Sequence, residues 1–425
     1  MNTPPEIATR SCAGLPNDCF STPEHCFDSL PVMKSIAKQM PPISIDRAAQ
    51  VLSDLIALRS VNPMGRPYDG AAPIERPVHD YLERLFTPFG VRLERQSCSP
   101  IHESLLIEIP GRTDHPGTLF ESHADTVPAD DWMDAAFIPY RSDDIIFGRG
   151  ACDDKGSLTA MALAILSFLE CGVVPPQPAW LLVAGDEEYA QTGIKHFLEN
   201  CHDSLGRAVF GEPTNCLPVV QHKGTIRWDV TVQGRSAHTS NPSLGRNAIL
   251  DMIQVINRLQ EFEEKLQRQP TNELTGGPTL TVTMIQGGRT RNVVPDECTI
   301  AVDLRIQPGM DGRAVVDELF AYLDSVDAQI VHQPFQCFAP ALVTPIDDPF
   351  VVRVVNVCSE TFESPIGPKG VPYGSDAGWI PRGTPAVVLG PGDIADAHAV
   401  DEHVALSEIV QAAAIYRNVL LTDWL

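Results

Sequence analysis

Seven side chains in five short polar motifs are of the types that hold metal ions or move protons. They are His123 and Asp125 in ESHADTVPADDW, Asp153 in GRGACDDKGS, Glu187 and Glu188 in GDEE, Glu212 in GEPT and His398 in DAHAVDEH. Taken singly, each has an ordinary reading. His123 could simply end a strand, and Asp153 with Asp154 could open a capped helix. Glu187 and Glu188 could be solvated loop charges, Glu212 a turn residue and His398 a surface histidine. Taken together, His123, Asp153, Glu188, Glu212 and His398 are two imidazoles and three carboxylates, about what two divalent ions sharing one carboxylate require. Mixed imidazole and carboxylate donors suit zinc, with cobalt or manganese as alternatives. Such a pair of cations lowers the pKa of a bound water toward about 7 and polarises a carbonyl, which is the chemistry of hydrolysis.

The elements that must position these groups are legible as apolar patterns. Four short runs read as buried strands: GTLFES before His123, AWLLVAG before Asp186, RAVFG before Glu212 and TPAVVLGPG before His398. GSLTAMALAILSFLECG between the first two reads as a helix closed by Gly172. Strand, helix, strand predicts a largely parallel sheet, with functional groups gathered beyond the carboxyl ends of its strands. SIDRAAQVLSDLIALRS reads as an amphipathic helix, with Ser44 and Asp46 as caps. The middle of the chain alternates differently. KGTIRWDVTVQG, GPTLTVTMIQGG, ECTIAVDLRIQP and AQIVHQ read as strands, and GRNAILDMIQVINRLQEFEEKLQ and GRAVVDELFAYLDSV as helices. The order β-α-β-β-α-β predicts a small α+β unit with one sheet face open. The expected organisation is an α/β fold: an N-terminal extension (1–41), a mostly parallel-sheet catalytic domain in two parts (42–220 and 337–425) and an inserted α+β domain (221–336).

Bulk composition narrows the function classes. The chain has 425 residues and a formal charge of 31 − 55 = −24. So acidic a surface repels phosphate backbones, and no basic cluster overrides it, so nucleic acid is not expected as a partner. No apolar run approaches the roughly 18–20 residues of a membrane span, and the N-terminal stretch lacks a signal-peptide core. A cytoplasmic location is the expectation. The 11 cysteines are scattered and form no CxxC pair, which suits reduced thiols, Cys12, Cys19 and Cys26 included.

The motifs HADTVP, GRGACDDKGS, GDEE, GEPT, GRSAH and GGRTRNVVPDE, with the late His398 before Asp401-Glu402, resemble in that order the co-catalytic zinc amidohydrolases. That family includes acetylornithine deacetylase, succinyl-diaminopimelate desuccinylase, aminoacylase and the carboxypeptidase-G type enzymes. The resemblance runs from about residue 45 to the C-terminus. It implies that Asp153 bridges two metals, that His123 and Glu212 hold one and Glu188 and His398 the other, and that Glu187 is the general base. It implies that Asp125 orients the ligand imidazole, and that His238 binds the scissile carbonyl oxygen. Asn292 and Arg305 match substrate contacts of the small domain, and Gly374, Ser375 and Asp376 fall where the family closes over the substrate carboxylate. The small domain dimerises in this family, so a homodimer is implied, with His238 completing the partner's site.

The resemblance implies hydrolysis of the amide of a small N-acyl amino acid. GEPT and NVVP look like the acetylornithine and diaminopimelate branch. Asp154 stands where many of its deacylases carry methionine, and DDKG is commoner in its dipeptidases, so a dipeptidase or carboxypeptidase is the rival. A non-catalytic relative serving as a binding or assembly module is the rival of another class.

Overall fold

The structure is a computed structural model and describes residues 40–130, 132–200 and 205–424. Nearly all of the N-terminal extension, with Cys12, Cys19 and Cys26, lies outside the described residues.

The first helix spans Ile45–Ala57, and Ser44 is its N-cap, accepting the Arg47 N–H at 3.2 Å. Asp46 does not cap it. It lies in the first turn, where a carboxylate complements the helix dipole, and it accepts from Arg141. The helix after Asp153 spans Lys155–Cys171. Gly172 closes it at φ +64, a left-handed conformation that costs glycine little. Residues Lys155 to Phe168 of this helix are all buried. It is apolar all round because it is enclosed by the sheet, the first helix and the last helix, Leu406–Leu421. Leu163 is 1% exposed there, so truncation to alanine would cost about 2–5 kcal/mol.

The largest sheet among the described residues has nine strands. Its centre is four parallel neighbours in the order Ala179–Ala184, Gly117–His123, Leu205–Phe210 and Ala386–Val388. These correspond to the four apolar runs read from sequence. Apolar side chains are buried on both faces: Phe120 and Leu181 in one cluster, Leu119 and Leu182 in another. Both faces are covered, as a parallel sheet requires. Antiparallel strands flank this centre, Arg92–Ser97 and Glu103–Ile109 on one side and Val219–His222 and Leu342–Val343 on the other.

The second sheet has the order Thr279–Gly287, Glu297–Ile306, Gly224–Gln233, Gln329–His332. Two helices cover one face, Ala248–Gln267 capped by Asn247 and Gly312–Leu323 capped by Asp311. Ile226, Trp228, Val230 and Val232 point inward with Ile300, Val302, Leu304 and Ile306. The period of two leaves Thr225, Arg227, Asp303 and Arg305 on the opposite, open face. Cys337–Ala339 also pairs with the Gly224–Gln233 strand. This sheet thus takes in Gly224 to Ala339, later at each end than the 221–336 division drawn from sequence.

Candidate metal centre and active site

The parallel strands end on one side of the sheet, and their following loops converge. His123 is the last residue of its strand, Glu187 and Glu188 follow the Ala179–Ala184 strand, and Glu212 follows Leu205–Phe210. His398 comes from the loop beyond Ala386–Val388, and Asp153 from the turn before the buried helix. Asp154 is the N-cap position of that helix but makes no capping bond. The Asp153–Asp154 peptide is cis.

The loops bring the ligand atoms of His123, Asp153 and Glu212 within 4.8 Å of one another, and those of Asp153, Glu188 and His398 likewise. Asp153 belongs to both groups. Its Oδ1 lies 2.9 Å from His123 Nε2 and its Oδ2 3.1 Å from His398 Nε2. His398 Nε2 is also 3.3 Å from Glu188 Oε2. His123 Nδ1 lies 3.0 Å from the Asp125 carbonyl oxygen. A proton on Nδ1 leaves Nε2 to face Asp153, the arrangement a ligand imidazole needs.

The electrostatics fit two cations. Burial pushes Glu187 and Glu212 well above the usual carboxylate range, and raises Glu188 too, with Asp153 adding repulsion on Glu188 and Glu212. Burial would also discharge the histidines, yet Asp125 and Asp153 hold His123 well above its ordinary value. Asp153 and Glu188 likewise push His398 up to about 11 against burial. Burial would raise Asp153 too, but His123 and His398 beside it outweigh burial and hold it well below the usual range. The cluster therefore needs positive charge from somewhere. Two divalent ions among these nitrogen and oxygen donors would supply it.

Asp125 is buried and ties the surrounding turn together. It accepts the backbone N–H groups of Glu187 at 3.1 Å and Glu188 at 3.3 Å, and the Asn62 amide at 2.8 Å. Asn62 also donates to Asp186 at 3.0 Å. Glu187 is in neither ligand group among the described residues. Its Oε1 accepts from Gln191 at 3.0 Å, and Gln191 in turn accepts the Trp379 indole N–H at 2.8 Å. Glu402 Oε1 accepts the N–H groups of Cys152 and Asp153, each at 3.0 Å, and Oε2 pairs with Arg149 at 2.5 Å. Asn62, Gln191 and Glu402 were not among the residues singled out from sequence.

A cavity of about 470 Å³ opens beside the cluster, lined by Asp153, Glu187, Glu188, Glu212 and His398. Arg305, Arg227, Tyr373 and Gly374 line it as well. Ser375 is buried one step behind the wall, its hydroxyl engaged with His222 Nε2 at 3.1 Å and with the Ala377 N–H. Asp376 is also buried, with neither carboxylate oxygen hydrogen-bonded, and burial pushes it up to about 8. His238 and Asn292 do not line this cavity. They sit exposed beside each other in the small unit, where Asn292 O accepts the Thr239 N–H. Ser240 N donates to His238 Nδ1 at 3.1 Å, and the Ser240 hydroxyl lies 2.7 Å from the same nitrogen; an accepting Nδ1 places the ring proton on Nε2.

Comparison with known proteins places these features in context. The profile of Peptidase family M20/M25/M40 matches residues 119–422. Acetylornithine deacetylase of Vibrio campbellii is 30% identical over 377 residues, covering 85% of this chain and 94% of the relative. That of Vibrio cholerae is 28% identical over 370 residues, with the same coverages. Among solved structures, an M20 family metallo-carboxypeptidase from Sulfolobus solfataricus superposes with a TM-score of 0.72 at 20% identity, covering 88% of this chain and 98% of that one. Human carnosine dipeptidase 1 gives 0.71 at 15% identity, covering 92% and 98%. These structural likenesses speak to fold. Among the described residues, no helix is long and apolar enough to cross a membrane.

Proposed function

The chain belongs to peptidase family M20/M25/M40, and we propose that within it this protein hydrolyses the amide bond of N-acyl amino acids, using two divalent ions, zinc before cobalt or manganese. The observation that carries the reading is Asp153, which offers one oxygen to each of two histidine-containing ligand groups beside a cavity. His123 and Glu212 would hold one ion, Glu188 and His398 the other, with Asp153 between them. When bound, the ions polarise the amide carbonyl and acidify water.

The chain's own residues do the rest. Glu187 takes a proton from the attacking water and then delivers it to the leaving nitrogen. Burial raises its proton affinity, which suits the second half of that task. Gln191 holds the carboxylate in place. Arg305 stands in the cavity wall to receive the substrate carboxylate. The deacylase reading is favoured over the peptidase one by similarity to acetylornithine deacetylases along 85% of the chain. The dipeptidase-like Asp154 counts little against it, because Asp154 is fully buried against Ser122 at 2.5 Å and lies off the cavity wall.

The reading includes a homodimer. The Thr279–Gly287 strand is an open sheet edge, with Met284 71% and Ile285 60% exposed, and Leu250 and Ile253 are exposed on a helix of the same unit. Apolar groups on an unpaired edge suit two-fold pairing. His238, exposed and with its hydrogen bonds among the described residues made through Nδ1, then donates from Nε2 to the carbonyl oxygen in the partner's cavity, with Asn292 beside it.

A hydrolysis screen of the zinc- or cobalt-loaded protein tests the reading. It covers N-acetyl, N-succinyl and N-formyl amino acids and dipeptides. Release of the free amino acid from acylated substrates is expected. Turnover of dipeptides alone would make the protein a peptidase, and turnover of neither would remove the catalytic reading.

A further inference from the structure

We infer that Arg227 makes this cavity select substrates carrying a second carboxylate, on the amino-acid side chain or on the acyl group, over substrates with a cationic side chain. The inference rests on the deacylase reading above and concerns only which N-acyl amino acids are taken.

Arg227 is placed by the alternation of its strand. Its neighbours Ile226 and Trp228 are fully buried against the helices, so Arg227 must project from the open face. Asp303 is its registered partner across the sheet, and Arg305 is the partner of Thr225, two residues along on the same face. Two guanidiniums therefore share one carboxylate. Asp303 Oδ2 accepts from Arg227 Nε at 2.7 Å, and Oδ1 accepts from Arg305 Nε at 2.7 Å. Arg305 turns one terminal nitrogen to Thr225 Oγ1 at 2.7 Å and the other to Asp303 Oδ2 at 3.2 Å, which leaves each of them one further N–H. Among the described residues, no side-chain hydrogen bond uses either terminal nitrogen of Arg227. Both guanidiniums line the cavity, whereas Asp303 does not. This end of the wall therefore presents two guanidiniums to the cavity and no carboxylate. It also offers a forked donor suited to a carboxylate.

One substrate carboxylate can be met by Arg305, which leaves Arg227 for a second. A cationic side chain in the same cavity would meet Arg227 as a like charge, a repulsive means of specificity. Among the described residues, the other charged groups of the wall are Asp153, Glu187, Glu188, Glu212 and His398, which belong to the metal end.

The test uses the metal-loaded enzyme and near-isosteric substrates. N-acetyl-L-glutamate, N-acetyl-L-glutamine and N-acetyl-L-ornithine vary the side-chain charge, and N-succinyl-L-glutamine moves the second carboxylate to the acyl group. In the wild type, kcat/KM for at least one substrate with a second carboxylate should exceed that for N-acetyl-L-glutamine by about 10-fold or more, and N-acetyl-L-ornithine should fall below it. Whichever of the two gains identifies the side on which the carboxylate is read. In Arg227→Gln that ratio should approach one, chiefly through KM, and in Arg227→Glu the order of glutamate and ornithine should reverse. Ratios within one variant cancel defects of folding or metal loading. A wild-type ratio near one, or a ratio that survives in Arg227→Gln, would overturn the inference while leaving the deacylase reading intact. Failure to hydrolyse any of the four would overturn the inference, and the wider screen of N-acyl amino acids decides the deacylase reading separately.

Discussion

Gln191 donates its side-chain amide to Glu187 Oε1 at 3.0 Å, and its orientation is set from behind by the Trp379 indole N–H at 2.8 Å. A carboxylate that must take a proton and give it back works only if its aim does not wander. Gln191 is 6% exposed and touches Glu187, the proposed proton carrier, without belonging to either ligand group.

Gln191→Leu should therefore lower kcat by about 10-fold or more and leave KM and metal content nearly unchanged. Trp379→Phe should move kcat the same way by less. Steady-state kinetics with metal analysis check this. An equal change in KM alone would mean that Gln191 contacts substrate rather than Glu187.

Glu187→Ala and Glu188→Ala should fail differently. Removal of Glu187 should keep both ions bound and cost roughly 1,000-fold or more in turnover, since base and acid are lost together. Removal of Glu188 should cost one ion. Metal analysis showing the opposite pattern would exchange the two roles.

Glu402 holds the backbone of Asp153 and pairs with Arg149, which is 3% exposed. Glu402→Ala leaves that guanidinium buried and uncompensated, at a cost of about 3–5 kcal/mol. The thermal midpoint of the variant should drop by several degrees, with Glu402→Gln in between. An unchanged midpoint would contradict the pairing.

Glu103 supplies a pH signature outside the proposed metal cluster. Burial would raise its pKa, but hydrogen bonds from His79 and Arg76 outweigh that and bring it down to about 2. A depressed carboxylate stabilises the fold above its unfolded value of about 4.3 and loses that effect as pH falls through about 2. Arg76 is partly exposed, so solvent screening holds the contribution to about 2 kcal/mol. In chelated samples, the wild type should resist urea better than Glu103→Gln at pH 6, and the gap should narrow from about pH 4.5 downward. A gap that is constant with pH would assign Glu103 a packing role only.

Mixing inactive Glu187→Ala and His238→Ala proteins tests the proposed sharing of the site between subunits. In each mixed dimer one site would carry both faults and the other neither. At full exchange about half the dimers are mixed, so roughly a quarter of sites should recover. No recovery despite demonstrated exchange would place the action of His238 within its own chain.

The central strands and the ligand types were legible because both signals are local. Each apolar run stops shortly before a candidate ligand, as Leu119 and Phe120 do before His123. The small unit was legible because its alternation and its long amphipathic helix are strong. The antiparallel flanks were not, since Arg92–Ser97 is a partly exposed strand without an apolar pattern and Leu342–Val343 is two residues long. The groups that hold the site in place escaped for another reason. Asn62 meets Asp125 across 63 positions and Glu402 meets Asp153 across 249, and no periodicity encodes such contacts. Arg227 could have been noticed as a cation on the open face of an alternating strand, but its neighbour Arg305 comes from a strand far along the chain.

The account stands on Asp153 being shared. The most direct measurement is the divalent metal content per chain, by elemental analysis, of the wild type and of Glu212→Ala, Glu188→Ala and Asp153→Ala after loading and dialysis. The account predicts about two ions in the wild type, about one in each glutamate variant and close to none in Asp153→Ala. One ion in the wild type, or two retained in Asp153→Ala, would contradict it.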